Sequence, residues 1–174
     1  MPRTLLTSLR DRIAYYEWAY GHLAEQDSDI GPVGEFLVGK ILGILPPVRR
    51  VNAPYDLVLS DGRGIEVKTT THPRSVYGSP NNLDYRWNVT TQMRTPQNLA
   101  PVWVFLVTDF PQAASSKSRF DAFNPIYWTA RLVTGSVLAT LGVKRTLTAT
   151  HLSRLGVEPF PLSQLKSHLL DLSQ

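Results

Sequence analysis

Seven consecutive uncharged residues, Val102-Trp103-Val104-Phe105-Leu106-Val107-Thr108, constrain this chain more than any other feature. An unbroken apolar run of this kind reads as a strand covered on both faces, not one with a solvated side. The fold must therefore lay material on both faces of a sheet. One source is the segment from Pro32 to about Leu45, where Glu35 and Lys40 are the only charges among mostly apolar residues. With Asp29 as N-cap, Pro32 in the first turn and Pro46-Pro47 as the stop, it is predicted to be a helix buried on most sides.

Other elements follow from periodicity. Leu5, Leu9, Ile13, Tyr16, Tyr20 and Leu23 recur at helical spacing, which predicts an amphipathic helix within residues 1–28. Residues 55–59 and 64–69 are β-rich runs on either side of Ser60-Asp61-Gly62-Arg63-Gly64, a hairpin signal. Residues 70–100 are polar and read as loops, with one short strand near Trp87-Asn88-Val89. Further strands are expected at 126–130 and 146–149, a short helix at 135–141 and a closing helix at 162–170. This pattern predicts a mixed α/β domain with one central sheet.

Composition narrows the function. A chain of 174 residues, 43% hydrophobic and 18% charged, suits one globular domain. It has no cysteine, which excludes disulfides, thiol nucleophiles and cysteine metal sites and fits a reducing, cytoplasmic setting. No apolar run is long enough for a membrane span, and the charged N-terminal segment predicts no signal peptide. The net charge of +4 and the excess of Arg over Lys suit a polyanionic partner, with Arg74, Arg86 and Arg94 placed to contact phosphate.

The hairpin carries the chemistry. Residues i and i+2 of a strand share a face, so Glu66 and Lys68 project together, while Val67 turns inward and leaves its carbonyl near the same edge. Asp56, on the preceding strand, can join them. Two carboxylates beside an ammonium suit divalent-metal hydrolysis of a phosphodiester. Register decides whether they meet. A five-residue loop, Ser60 to Gly64, would pair Asp56 with Lys68 and Val58 with Glu66; a two-residue turn would throw the carboxylates to opposite faces. An odd-length loop or a bulge is therefore expected.

Asp56 followed by Glu66-Val67-Lys68, with Glu35 on the helix ahead, resembles the PD-(D/E)XK nuclease superfamily over roughly residues 30–150. Residues 151–174 would add a C-terminal helix to this core. The sequence departs from the family pattern in having Tyr55 between Pro54 and Asp56. The resemblance implies a restriction-endonuclease-like, three-layer α/β/α domain with a central mixed sheet. It implies Mg²⁺ (or Mn²⁺ in its place) held by Asp56, Glu66 and the Val67 carbonyl, with Lys68 positioning the attacking water. It further implies an endonuclease of restriction or defence type, acting on double-stranded DNA as a homodimer. The alternatives are a structure-selective nuclease for branched or damaged DNA and a catalytically silent nucleic-acid-binding module.

Other signals are weaker. Gly34 to Lys40 spells GxxxxGK, but Ile41 stands where a P-loop needs Ser or Thr. The four histidines show no metal-ligand spacing, and His72 has no second histidine on a following helix. Thr69, Thr70 and Thr71 offer hydroxyls to phosphate or simply favour a strand. Trp87 among arginines either stacks on bases or anchors a loop.

Overall fold

A computed structural model of the chain describes residues 30–44, 55–71, 73–76, 79–89, 99–108, 124–142 and 144–172. The apolar run forms its central strand, β6 (Val102–Thr108), in which every residue but Val107 is buried. Its neighbours are β2 (Gly64–Thr70), parallel, and β7 (Trp128–Thr134), antiparallel. β1 (Leu57–Val58) and β9 (Phe160–Pro161) complete a mixed five-stranded sheet in the order β1-β2-β6-β7-β9. The fold is mixed α/β.

Alternation along the strands divides the core in two. Ile65, Val67, Val104 and Leu106 face Phe36 and Leu37 of α1 (Ile30–Leu42) and Leu165 of α4 (Leu165–Asp171). Trp103, Phe105 and Val133 face the other way, towards Trp87, Leu138, Leu147 and Leu152. Those four come from β5 (Arg86–Asn88), α2 (Gly135–Ala139), β8 (Thr146–Thr148) and α3 (Ala149–Arg154). Each fully buried side chain of this size contributes about 1.5–3 kcal/mol from apolar burial, which is why β6 is stable only with both faces covered.

α1 ends earlier than its prolines suggest. Gly43 adopts φ 75°. There Gly43 N–H donates to Lys40 O at 3.3 Å and Ile44 N–H to Gly39 O at 2.8 Å, a Schellman C-cap. The stop is thus the glycine; Asp29 and Pro46-Pro47 lie outside the described residues, as does the helix predicted within residues 1–28. Gly34 brings α1 close to β2, since a Cβ there would lie 2.3 Å from Thr69 Oγ1 and 3.0 Å from Leu106 Cδ1. Gly34→Ala is therefore expected to cost about 1–3 kcal/mol by overpacking, read as a lower midpoint in thermal unfolding. Thr69→Ala in the same background removes the closest atom and restores most of the loss.

The polar stretch 70–100 holds more strand than expected. β3 (Arg74–Val76) and β4 (Ser79–Asp84) form an antiparallel ladder of their own with a bulge between Ser75 and Val76. β5 pairs antiparallel with β8. The strand expected at 126–130 begins instead with a 3₁₀ turn, Pro125–Tyr127, and continues to Thr134. Among the described residues no helix is long and apolar enough to cross a membrane.

Candidate active site

The β1–β2 turn sets the position of every side chain in the site. Leu59 N–H donates to Arg63 O and Gly62 N–H to Leu59 O, both at 2.9 Å, with Gly62 at φ 87°. This closes a three-residue loop, Ser60 to Gly62, whose last residue needs the left-handed conformation that glycine adopts freely. Asp61 braces it by accepting Arg63 N–H at 3.0 Å and Arg63 Nε at 2.8 Å. The Arg63 backbone bond, then its side chain, holds the Asp61 carboxyl below its ordinary range. The expected five-residue loop is corrected accordingly: Leu57 pairs with Ile65 and Val58 with Gly64, not with Glu66. The register moves by two residues, so Leu57 and Val58 keep their faces.

β1 then breaks its ladder at Asp56. Asp56 N–H donates to Ile65 O at 3.0 Å, yet Leu57 is the ladder partner of Ile65. Two consecutive residues therefore face one, as in a β-bulge. Tyr55 lies over Gly64 so closely that a Cβ there would sit 2.2 Å from its ring. Beyond the end of β1, the Asp56 carboxylate replaces the missing strand: its Oδ2 accepts Val67 N–H at 2.8 Å. Ile65 O is directed at this edge, so the Val67 carbonyl, two residues on, is directed there too.

Glu66, Lys68 and Thr70 share the sheet face of their β6 partners Trp103, Phe105 and Val107. Glu66 is only 6% exposed. Lys68 Nζ donates to Glu66 Oε1 at 2.6 Å. An almost buried carboxylate is costly without an opposite charge, and Lys68 supplies it. Asp56 is thus bonded to the Val67 backbone at the β1 edge of β2, and Glu66 and Lys68, on either side of Val67, pair with each other on the sheet face.

The other predicted residues are placed less closely. Glu35 rides on α1, which covers the opposite face of β2. Among the described residues no three His, Asp or Glu side chains form a metal-holding group. Thr69 turns towards α1, and its buried hydroxyl has no hydrogen-bond partner among the described residues. Thr70 is buried. Arg74 is exposed on β3, and Arg86 is half-buried on β5 opposite Thr148. Arg94 and His72 lie outside the described residues. Trp87 is core: it is 1% exposed, donates Nε1–H to Leu106 O at 3.0 Å and meets Phe105 edge-on. It is no platform for bases.

Two further polar groups, Asp84 and Arg131, had no motif to announce them. Asp84 accepts Thr150 N–H at the start of α3 at 3.0 Å. Burial raises the Asp84 pKa, but hydrogen bonds from Thr150, Thr148 and Tyr85 outweigh it and leave the carboxyl below its ordinary range. Arg131, opposite Phe105 on β7, donates to Ser153 Oγ at 3.0 Å and to Val157 O.

No protein-family model and no curated protein matches the chain.

The residues at the β1–β2 edge fit a small divalent cation. Asp56, Glu66 and the Val67 carbonyl offer only hard oxygen donors, and Mg²⁺ is commonly bound through one or two carboxylates while keeping several waters. By donor type, two carboxylates and a carbonyl match that preference.

Proposed function

We propose that this chain is a Mg²⁺-dependent DNA endonuclease of the PD-(D/E)XK type, with Mn²⁺ as a substitute and Asp56, Glu66 and Lys68 as its catalytic residues. The observation that carries this reading is Glu66 buried against Lys68 on β2, with Asp56 bonded to the N–H of Val67, the residue between them. Coverage of both sheet faces by other elements supports a three-layer restriction-endonuclease-like architecture. The net charge of +4 supports a polyanionic substrate.

Asp56 and Glu66 would hold the metal with the Val67 carbonyl. The bound ion would neutralise charge on the phosphate and favour ionisation of water. Glu66 keeps the Lys68 ammonium at the strand edge, where it can orient an attacking water by hydrogen bonding. The Asp56–Val67 bond fixes the carboxylate before substrate arrives, so little reorganisation is needed.

Supercoiled plasmid, linear duplex and a four-way junction, each incubated with Mg²⁺ and with EDTA, test the proposal. Metal-dependent cutting of plasmid at fixed positions supports a restriction or defence role, and junction-only cutting a structure-selective one. Binding without cutting overturns the nuclease reading and leaves a nucleic-acid-binding module. DNA affinity should fall steeply with salt as Arg and Lys contacts to phosphate release counterions. A flat response in a filter-binding titration would point to another kind of ligand.

A further inference from the structure

A cavity of about 210 Å³ opens on the same sheet face as Glu66 and Lys68. Phe105 and Val107, the β6 partners of Lys68 and Thr70, form one wall. Thr129, Ala130 and Arg131 of β7, with Tyr85, Ala149 and Pro159, form the rest. Two strand spacings, about 10 Å, separate Lys68 from Arg131 along this row.

Arg131 gives the cavity its chemistry. Its Nη1 is occupied by Ser153 Oγ and the Val157 carbonyl, both neutral. A guanidinium has five N–H donors in a rigid fork, so the Nε and Nη2 side keeps three, and these have no partner among the described residues. Burial lowers the Arg131 pKa, while Glu158 and Asp84 act on it in the opposite sense. Those two carboxylates offset the positive field, which makes the cavity a poor phosphate site. Apolar and aromatic walls with one planar pair of donors suit a flat heterocycle bearing two adjacent acceptors. Guanine presents such a pair in O6 and N7, and Arg is its commonest partner. The volume lies below that of sites for drug-sized ligands and suits a single base.

We propose that this cavity binds an unstacked guanine base, with Arg131 donating to its O6 and N7. It rests on the nuclease reading in one respect: the strand carrying the base is the one whose backbone reaches Lys68. Reading an extruded or unpaired base would make the enzyme selective for distorted or single-stranded positions.

Binding of guanosine, adenosine, cytidine, thymidine and inorganic phosphate to the full chain, by calorimetry in EDTA, tests this without catalysis. Guanosine should bind most tightly, inorganic phosphate should not compete, and Arg131→Lys should weaken guanosine at least about tenfold, since a point charge cannot reproduce the bidentate pair. Thr129→Leu, at an exposed position, should fill the cavity and abolish binding without lowering the unfolding temperature. That variant decides the matter if Arg131→Lys fails to fold. Absence of guanosine binding at millimolar concentration, equal binding of all four nucleosides, or displacement by phosphate overturns the proposal. Loss of guanosine binding with cleavage intact would sink the base site alone. Guanosine binding with no cleavage of any DNA would sink the nuclease reading alone.

Discussion

On the nuclease reading, Lys68→Ala is expected to lower DNA cleavage by about 10²–10⁴-fold, the usual contribution of a group engaged in proton transfer with the reacting water. Its effect on the metal should run the other way. Lys68 Nζ sits 2.6 Å from Glu66 Oε1 and competes with any cation for that carboxylate. Removing the ammonium should tighten Mg²⁺ binding by at least about tenfold, the least that one unit charge a few ångströms from a divalent ion amounts to when largely screened by water. Without metal the variant should unfold at lower temperature, because Glu66, 6% exposed, loses this partner; added Mg²⁺ should restore much of the loss. Calorimetry with Mg²⁺ and thermal unfolding with and without it check both points. A purely structural lysine would lose stability with no gain in metal affinity.

Asp56→Asn and Asp56→Ala separate the two tasks of Asp56. Asparagine keeps an oxygen for Val67 N–H, now 2.8 Å from Asp56 Oδ2, but removes the charge a metal needs. Asp56→Asn should therefore retain the unfolding temperature while Mg²⁺ affinity falls at least about tenfold and cleavage is lost. Asp56→Ala should in addition cost about 1–3 kcal/mol, the penalty of an unpaired Val67 N–H at the end of the ladder. Equal Mg²⁺ affinity in wild type and Asp56→Asn would remove Asp56 from the metal site and leave it a strand-capping residue.

What the sequence made legible follows the strength of each local signal. The doubly covered β6 and the apolar α1 were readable because their side chains have only one sensible environment. The faces of Glu66 and Lys68 followed from the period of two. Register was not readable to the residue: Asp61 bonds both the backbone and side chain of Arg63, and that tightens the loop by two residues relative to the expected pairing. The faces of Leu57 and Val58 survived because the shift is even, whereas the bulge at Asp56 breaks the alternation there. β3 and β4 were hidden by polarity, since Asn81, Asn82 and Asp84 show no apolar alternation. α3 lacks the usual capping signature because His151 stands where Glu or Gln is common; its Nδ1 accepts Thr148 N–H at 3.2 Å while Thr148 Oγ1 caps the helix. Arg131 could not be singled out, as its significance lies in partners more than twenty residues away, Ser153 and Val157.

The central claim is that Asp56 and Glu66 serve metal-dependent phosphodiester hydrolysis. Single-turnover cleavage of an end-labelled duplex addresses it most directly, with purified wild type and Asp56→Asn compared in millimolar Mg²⁺ and in EDTA. Cleavage by the wild type in Mg²⁺ alone, with Asp56→Asn inactive yet folded, is the predicted result. Cleavage that persists in Asp56→Asn or in EDTA, or none by the wild type under any divalent metal, would contradict it.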